Sequence, residues 1–302
     1  MSGPDRPLGT EAVDPAYGEL DAWPLGRILD AVIANSRRAA EAVAAASGQL
    51  ERAAAGVEER LRAGGRFVYA GAGTSGRIAV QDAAELPPTF GFERAVVLLA
   101  GGGAAGSRAL ENAEDDTGAA LHDVERAGIG PTDAVIGVAA SGRTPYTLAV
   151  VRAARERGAF TVGFANNAGT PLLSAPHVGV LLDTGPEVLA GSTRLAAGTA
   201  QKIALNALST AVLVRSGGAF GNLMVGMRPI NEKLHQRAVV TVAEAAGVSQ
   251  ERSRSALESA GWRVREAIVM ARTGVDAATA TALLERHGGR VREALEAAHR
   301  RR

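Results

Sequence analysis

The chain of 302 residues is 46% hydrophobic with a formal net charge of +1. That is enough apolar material for a sizeable core, and too little excess charge to drive binding to nucleic acid or acidic membranes. It has no cysteine, which excludes disulfides and thiolate chemistry, and its five histidines follow no metal-ligand spacing. No apolar run approaches the ~20 residues of a membrane helix. The start, MSGPDRPLGTEAVDP, lacks the basic-then-apolar pattern of a secretory leader, so the expectation is a cytoplasmic protein without metal.

Residues 1–18 are rich in Gly, Pro and Asp and read as irregular; Trp23 to Leu61 has an Ala/Leu/Val-rich helical pattern. Five short apolar runs follow, alternating with helical stretches: Phe67-Val68-Tyr69-Ala70, then residues 95–99, 134–138, 160–164 and 178–182. Continuous apolar strands of this kind are buried on both faces of a parallel sheet. Their alternation with helices predicts a three-layer α/β/α sandwich with a five-stranded parallel sheet. A long helix is expected from about Thr193 to Val214, ended by Ser216-Gly217-Gly218. From Asn231 every pattern is helical, and the tail repeats itself: Gly247-Val248, Leu257-Glu258, Gly261 and the run Arg263 to Ile268 recur 27 positions later. Each copy reads as a helix–turn–helix pair, in a small helical C-terminal domain. The expected division is an N-terminal segment over 1–60, a ligand-binding α/β domain over 61–230 and a helical region over 231–302.

The stretch AGAGTSGRIAVQDAAELPPTFG (70–91) carries the chemistry. A strand feeding a Gly/Ser/Thr turn and a helix N-terminus offers free N–H groups and a positive dipole end to an anion. Thr74 and Ser75 add hydroxyls to Gly73. GAGTSG also matches the dinucleotide fingerprint, but the second strand ends Leu99-Ala100-Gly101-Gly102-Gly103, without the acid that binds a ribose, which speaks against a nicotinamide cofactor. A second such turn follows the third strand, with Ser141, Gly142, Arg143 and Thr144 before Pro145, where Thr144 suits an N-cap. Two hydroxyl loops at the C-terminal ends of parallel strands would face one crevice and favour a phosphorylated ligand. Glu85 stands alone in apolar company before Pro87-Pro88, which close its helix. Glu111, Glu114, Asp115 and Asp116 form an acidic cluster. Carboxylates from two segments can supply one acid and one base, although spacing does not show that Glu85 and Glu114 meet. Ser192 or Thr193 could cap the long helix, and Glu187 and Arg194 could line the crevice. His235 reads as a surface or packing histidine.

The stretches GAGTSGR (71–77), ELPPTFG (85–91), AED (113–115), AASGRTPY (139–146), GPEVLAGSTR (185–194), AGTAQK (197–202), GNLMV (221–225) and NEKL (231–234) resemble, in this order, those of N-acetylmuramic acid 6-phosphate etherases. The resemblance implies the sugar isomerase (SIS) fold, a homodimer, and no metal or nucleotide cofactor. It implies a phosphorylated amino sugar as substrate, whose lactyl ether is cleaved to N-acetylglucosamine 6-phosphate and D-lactate in cell-wall recycling. Glu114 would remove the C2 proton and Glu85 would protonate the departing lactyl oxygen. The loops at 73–75 and 141–144 would hold the 6-phosphate. The chain departs from the family at Ala84 and Leu86, beside the acid, and at Ala196, where a lysine is usual. Other readings are a non-catalytic phosphosugar sensor, which needs the loops but not both glutamates, and an aldose–ketose isomerase, which needs no acid at C3. An adaptor role through the repeated tail is a third.

Overall fold

A computed structural model describes residues 9–106 and 112–300. Three single 3-10 turns (Gly9–Glu11, Pro15–Tyr17, Leu20–Ala22) precede helices α1 (Leu25–Ala45) and α2 (Ser47–Arg62). The α/β alternation follows as β1 (Phe67–Gly71), α3 (Gly73–Phe90), β2 (Ala95–Leu99), α4 (Thr117–Arg126), β3 (Ala134–Val138), α5 (Pro145–Glu156), β4 (Phe160–Ala165), the single turn α6 (Pro171–Ser174), β5 (Val178–Leu181) and α7 (Ala196–Leu213). A two-stranded hairpin, β6 (Ala219–Phe220) and β7 (Leu223–Met224), leads to the helical tail: α8 (Glu232–Ala246), α9 (Gln250–Ser259), α10 (Val264–Thr273), α11 (Ala277–Arg286) and α12 (Val291–His299).

All five expected strands form one parallel sheet in the order β2-β1-β3-β4-β5. Side chains alternate along β1. Val68 and Ala70 join Leu98 and Val135 under Val124 of α4 and Val150 of α5, while Tyr69 turns to the opposite face and bonds Asp82 of α3. Helix α2 packs closely on the sheet: a Cβ on Gly56 would lie 2.1 Å from the Phe160 ring. Arg66 clamps the lower end of β1. Its guanidinium donates to both oxygens of Asp133, at 2.9 and 2.7 Å, and to the carbonyls of Ala127 and Gly128. Burial disfavours the Asp133 carboxylate, but the bonds from Arg66 and the Gly130 N–H outweigh it and hold its pKa below the usual value.

The chain packs as two compact units. The first comprises Met1–Ala84 and Arg94–Ser209, the second Glu85–Glu93 and Thr210–Arg302. The second unit therefore begins earlier than residue 231. Val225 and Met227, just after the hairpin, are buried in the same apolar cluster as the tail helices. The repeat is visible in its backbone. Gly261 and Trp262 both turn at φ +61° between α9 and α10, and Gly288 and Gly289 turn at +60° and +76° between α11 and α12. Trp262 thus holds a left-handed conformation that its counterpart fills with glycine. His235 of α8 stacks on the Trp262 ring, centroids 4.0 Å apart.

One helix end differs from expectation. Helix α3 does not close at Pro87-Pro88 but continues to Phe90. The prolines have no N–H for the carbonyls of Ala83 and Ala84, so two successive bonds are lost. Gly91 N then donates to Pro87 O at 2.9 Å, and Gly91 ends the helix at φ +65°.

Candidate active site

The sheet order places the two hydroxyl loops together. Strands β1 and β3 are neighbours, in register with Gly71 opposite Val138, and their connections leave toward opposite edges of the sheet. This is the topological switch point, where ligands of open α/β sheets bind beyond the carboxyl ends of the strands. The loop after β1 carries Gly73, Thr74 and Ser75; the loop after β3 carries Ser141, Gly142, Arg143 and Thr144.

The first loop is set by close packing. A Cβ on Gly76 would lie 3.0 Å from the Gly71 carbonyl carbon and 2.3 Å from a Leu99 methyl, so the first turn of α3 can sit this near β1 only with glycine there. Gly76 N bonds Ala72 O at 3.0 Å, leaving the amides of Gly73, Thr74 and Ser75 without intrahelical partners. Ser75 is buried, and among the described residues nothing bonds its hydroxyl. Arg77, which sequence reasoning gave no role, donates to Thr74 Oγ1 at 3.3 Å and brings a cation beside the loop. Its position inside the GAGTSGR stretch was the available signal.

The second loop is tied from below. Ala140 O accepts Asn166 N at 3.0 Å and Asn167 Nδ2 at 2.8 Å, and Asn167 also bonds the buried Thr10. A Cβ on Gly142, at φ +65°, would lie 2.1 Å from Thr170 Oγ1. Ser141 Oγ accepts from Arg143 N at 3.2 Å and lies 3.5 Å from Thr144 Oγ1. Thr144 occupies the N-cap position of α5, with Pro145 at N1, but makes no capping bond with its side chain. Arg143 is exposed.

Helix α7 is capped by neither Ser192 nor Thr193. Its first residue is Ala196, and the cap is Glu187, which is 1% exposed. Glu187 Oε2 accepts from Ala196 N at 2.9 Å and from Asn35 Nδ2 at 3.3 Å, and Oε1 accepts from Ala197 N at 2.9 Å. A carboxylate at a helix N-terminus satisfies orphan amides and meets the positive dipole end. Both oxygens are thus engaged by the protein itself, not turned to a crevice. Ser192 is half-buried and Arg194 exposed in the same loop.

The seam between α3 and α7 brings Thr74 to Gly198, where an added Cβ would meet the threonine methyl at 3.5 Å. Further along, Asp82 of α3 is buried and saturated. Its Oδ2 accepts the Tyr69 hydroxyl at 2.7 Å; its Oδ1 accepts Asn206 Nδ2 at 2.6 Å and Ser209 Oγ at 3.2 Å. Burial, then the adjacent Asp82, push the Tyr69 hydroxyl well above its ordinary pKa, so it remains a donor.

The two candidate catalytic carboxylates are placed otherwise. Glu85, on α3 three residues after Asp82, is exposed rather than sheltered in apolar surroundings. Glu114, in the 3-10 turn Ala113–Asp115, is exposed too, and Glu111 lies outside the described residues. Among the described residues neither Glu85 nor Glu114 has a side-chain hydrogen bond or ion pair. Asp116 caps α4 through a bond from Ala119 N at 2.8 Å.

Residues 49–155 match the family of the glucokinase regulatory protein N-terminal SIS domain, and residues 115–211 match the SIS domain family. A curated relative from Deinococcus radiodurans, named N-acetylmuramic acid 6-phosphate etherase, is 50% identical over 91% of this chain and 90% of its own length. One of the same name from Rubrobacter xylanophilus is 47% identical over 89% and 90%. Among solved structures, an E. coli CFT073 protein captured as a complex shares the fold, with a TM-score of 0.50 and 16% identity over 66% of this chain and 97% of that one.

Proposed function

Because this chain belongs to the N-acetylmuramic acid 6-phosphate etherase family, we propose that its two hydroxyl loops hold the substrate's 6-phosphate while Glu114 and Glu85 perform the chemistry. The reaction cleaves the D-lactyl ether of N-acetylmuramic acid 6-phosphate, leaving N-acetylglucosamine 6-phosphate and D-lactate, a step of cell-wall recycling. The observation that carries the residue assignment is the pairing of the loops after β1 and β3 at one switch point, in register at Gly71 and Val138.

The open-chain sugar has an aldehyde at C1, which acidifies the C2 proton. Glu114 takes that proton, Glu85 delivers one to the lactyl oxygen as the C3–O bond breaks, and water adds to the unsaturated aldehyde. An acid and a base with no side-chain partner among the described residues suit these transfers. Thr74, Ser75, Ser141 and Thr144, with the amide of Gly73 and the cations of Arg77 and Arg143, suit a phosphate dianion. Glu187 supports the site indirectly, by fixing the start of α7; Ser192 and Arg194 belong to the loop before that helix. The same reading makes the protein a cytoplasmic homodimer that needs no metal or nucleotide cofactor.

The test is D-lactate release. Glu85→Gln and Glu114→Gln should each lower kcat by about 10²–10⁴-fold, the usual worth of a general acid or base. Ser75→Ala with Ser141→Ala should raise KM strongly. Wild-type rates in either glutamine variant, or an unchanged KM in the serine pair, would sink the corresponding assignment.

A further inference from the structure

The reaction just described leaves one charge unassigned. When Glu114 removes the C2 proton, the C–H electron pair forms a C1–C2 double bond and the C1=O pair moves onto the oxygen. The resulting enolate is a single-oxygen anion. Neither carboxylate can stabilise it, and the hydroxyl loops are committed to the phosphate.

Composition singles out a candidate. The chain has 31 arginines and only two lysines, Lys202 and Lys233. Where a chain uses arginine for nearly every cation, a lysine marks a place where a compact point charge is wanted and a planar fork does not serve. Lys202 lies in the α/β unit, on α7, four residues or about 6 Å of helical rise beyond Gly198, the residue that meets Thr74. It is exposed, yet a buried network converges on it. Its Nζ donates to Asn206 Oδ1, and Asn206 in turn donates to the buried Asp82 carboxylate, which also takes the Tyr69 and Ser209 hydroxyls. Asp82 has no ion pair among the described residues. Every bond in the chain runs toward Asp82, so the negative charge inside is relayed to one ammonium outside, which keeps N–H groups for a ligand. An exposed surface lysine needs no such support.

We propose that Lys202 is a catalytic residue: its ammonium, held by Asn206 and Asp82, donates to the substrate's C1 oxygen and stabilises the enolate. The assignment rests on the reaction proposed above.

The experiment uses the full chain and N-acetylmuramic acid 6-phosphate carrying deuterium at C2. Deuterium loss reports C–H cleavage and D-lactate reports C–O cleavage. Lys202→Met, checked for wild-type circular dichroism, should lower kcat by about 10²–10³-fold, the range for losing one oxyanion donor. KM should stay nearly constant, because the interaction is made in the transition state. Deuterium loss should fall in step with lactate. Lys202→Arg should restore little, and Asn206→Leu should lower kcat less than Lys202→Met. Wild-type kcat in Lys202→Met, full rescue by arginine, or a raised KM at constant kcat would overturn the proposal. A wild type that loses deuterium without releasing lactate overturns the etherase reading alone, and Lys202→Met must then still suppress deuterium loss. A wild type that does neither overturns both.

Discussion

The two units are stabilised by different means. Among the described residues the α/β unit buries fifteen polar or charged side chains, and the helical unit buries two, Ser253 and Thr273. Those two donate to backbone carbonyls of their own unit, of Val239 and Val269. In the α/β unit several of the buried polar groups bond one another and reach across the fold, as Asp82 does to Asn206 and Asn167 to Thr10. The helical unit is an apolar packing problem; the α/β unit is also a polar wiring problem, and its wiring ends at the loops and at Lys202. Buried polar groups are costly when half satisfied, so those that tie the loops down, such as Asn167 beneath Ala140, indicate what they are there to hold.

This contrast can be broken by substitution. The largest loss of stability is expected for Glu187→Ala, about 3–5 kcal/mol, because Ala196 N, Ala197 N and Asn35 lose an acceptor together. A loss below about 1 kcal/mol in denaturant melts would mean that water replaces the cap. Next comes Ile268→Ala, a cavity at a fully buried position of the helical unit, at about 2–4 kcal/mol, with Ile268→Val at about 1. If Ser253→Ala cost as much as Ile268→Ala, the description of that unit as apolar packing would fail. Below Ile268→Ala comes Asp133→Asn, about 1.5–3 kcal/mol at neutral pH. Arg66 holds the folded pKa of Asp133 below its unfolded value, so the stabilisation is complete above the unfolded pKa and is lost as pH falls through the folded one. The gap between wild type and Asp133→Asn should therefore be constant at neutral pH and close progressively below about pH 4. A gap that stays constant to about pH 2 would assign the loss to packing instead.

What could be read from the sequence divides along the same line. The strands were legible because apolar runs such as Ala134 to Val138 are unbroken and end in small residues; the repeat was legible because glycines mark its turns at fixed spacing. Both hydroxyl loops were legible as motifs, although the strand order that joins them was not. The wiring was hidden. Nothing local ties Asp82 to Asn206, 124 positions away, or Asn35 to Glu187, 152 away. Ser192 and Thr193 had the right chemistry and place to cap α7, and Glu187 took the role because its loop folds back over the helix end. Helix α3 misled for the opposite reason: a local rule about prolines was overridden by the helix on either side of them.

The left-handed Trp262 has a practical consequence. The chain has two tryptophans, and they are divided between the units: Trp23 in the first, with the Arg27 guanidinium 3.7 Å from its ring, and Trp262 in the second, stacked on His235. Each unit carries its own fluorophore, each with a different neighbour to change its emission. A Trp23→Phe protein would report optically on the helical unit alone, and a Trp262→Phe protein on the α/β unit, so the order in which the two melt can be read from one cuvette.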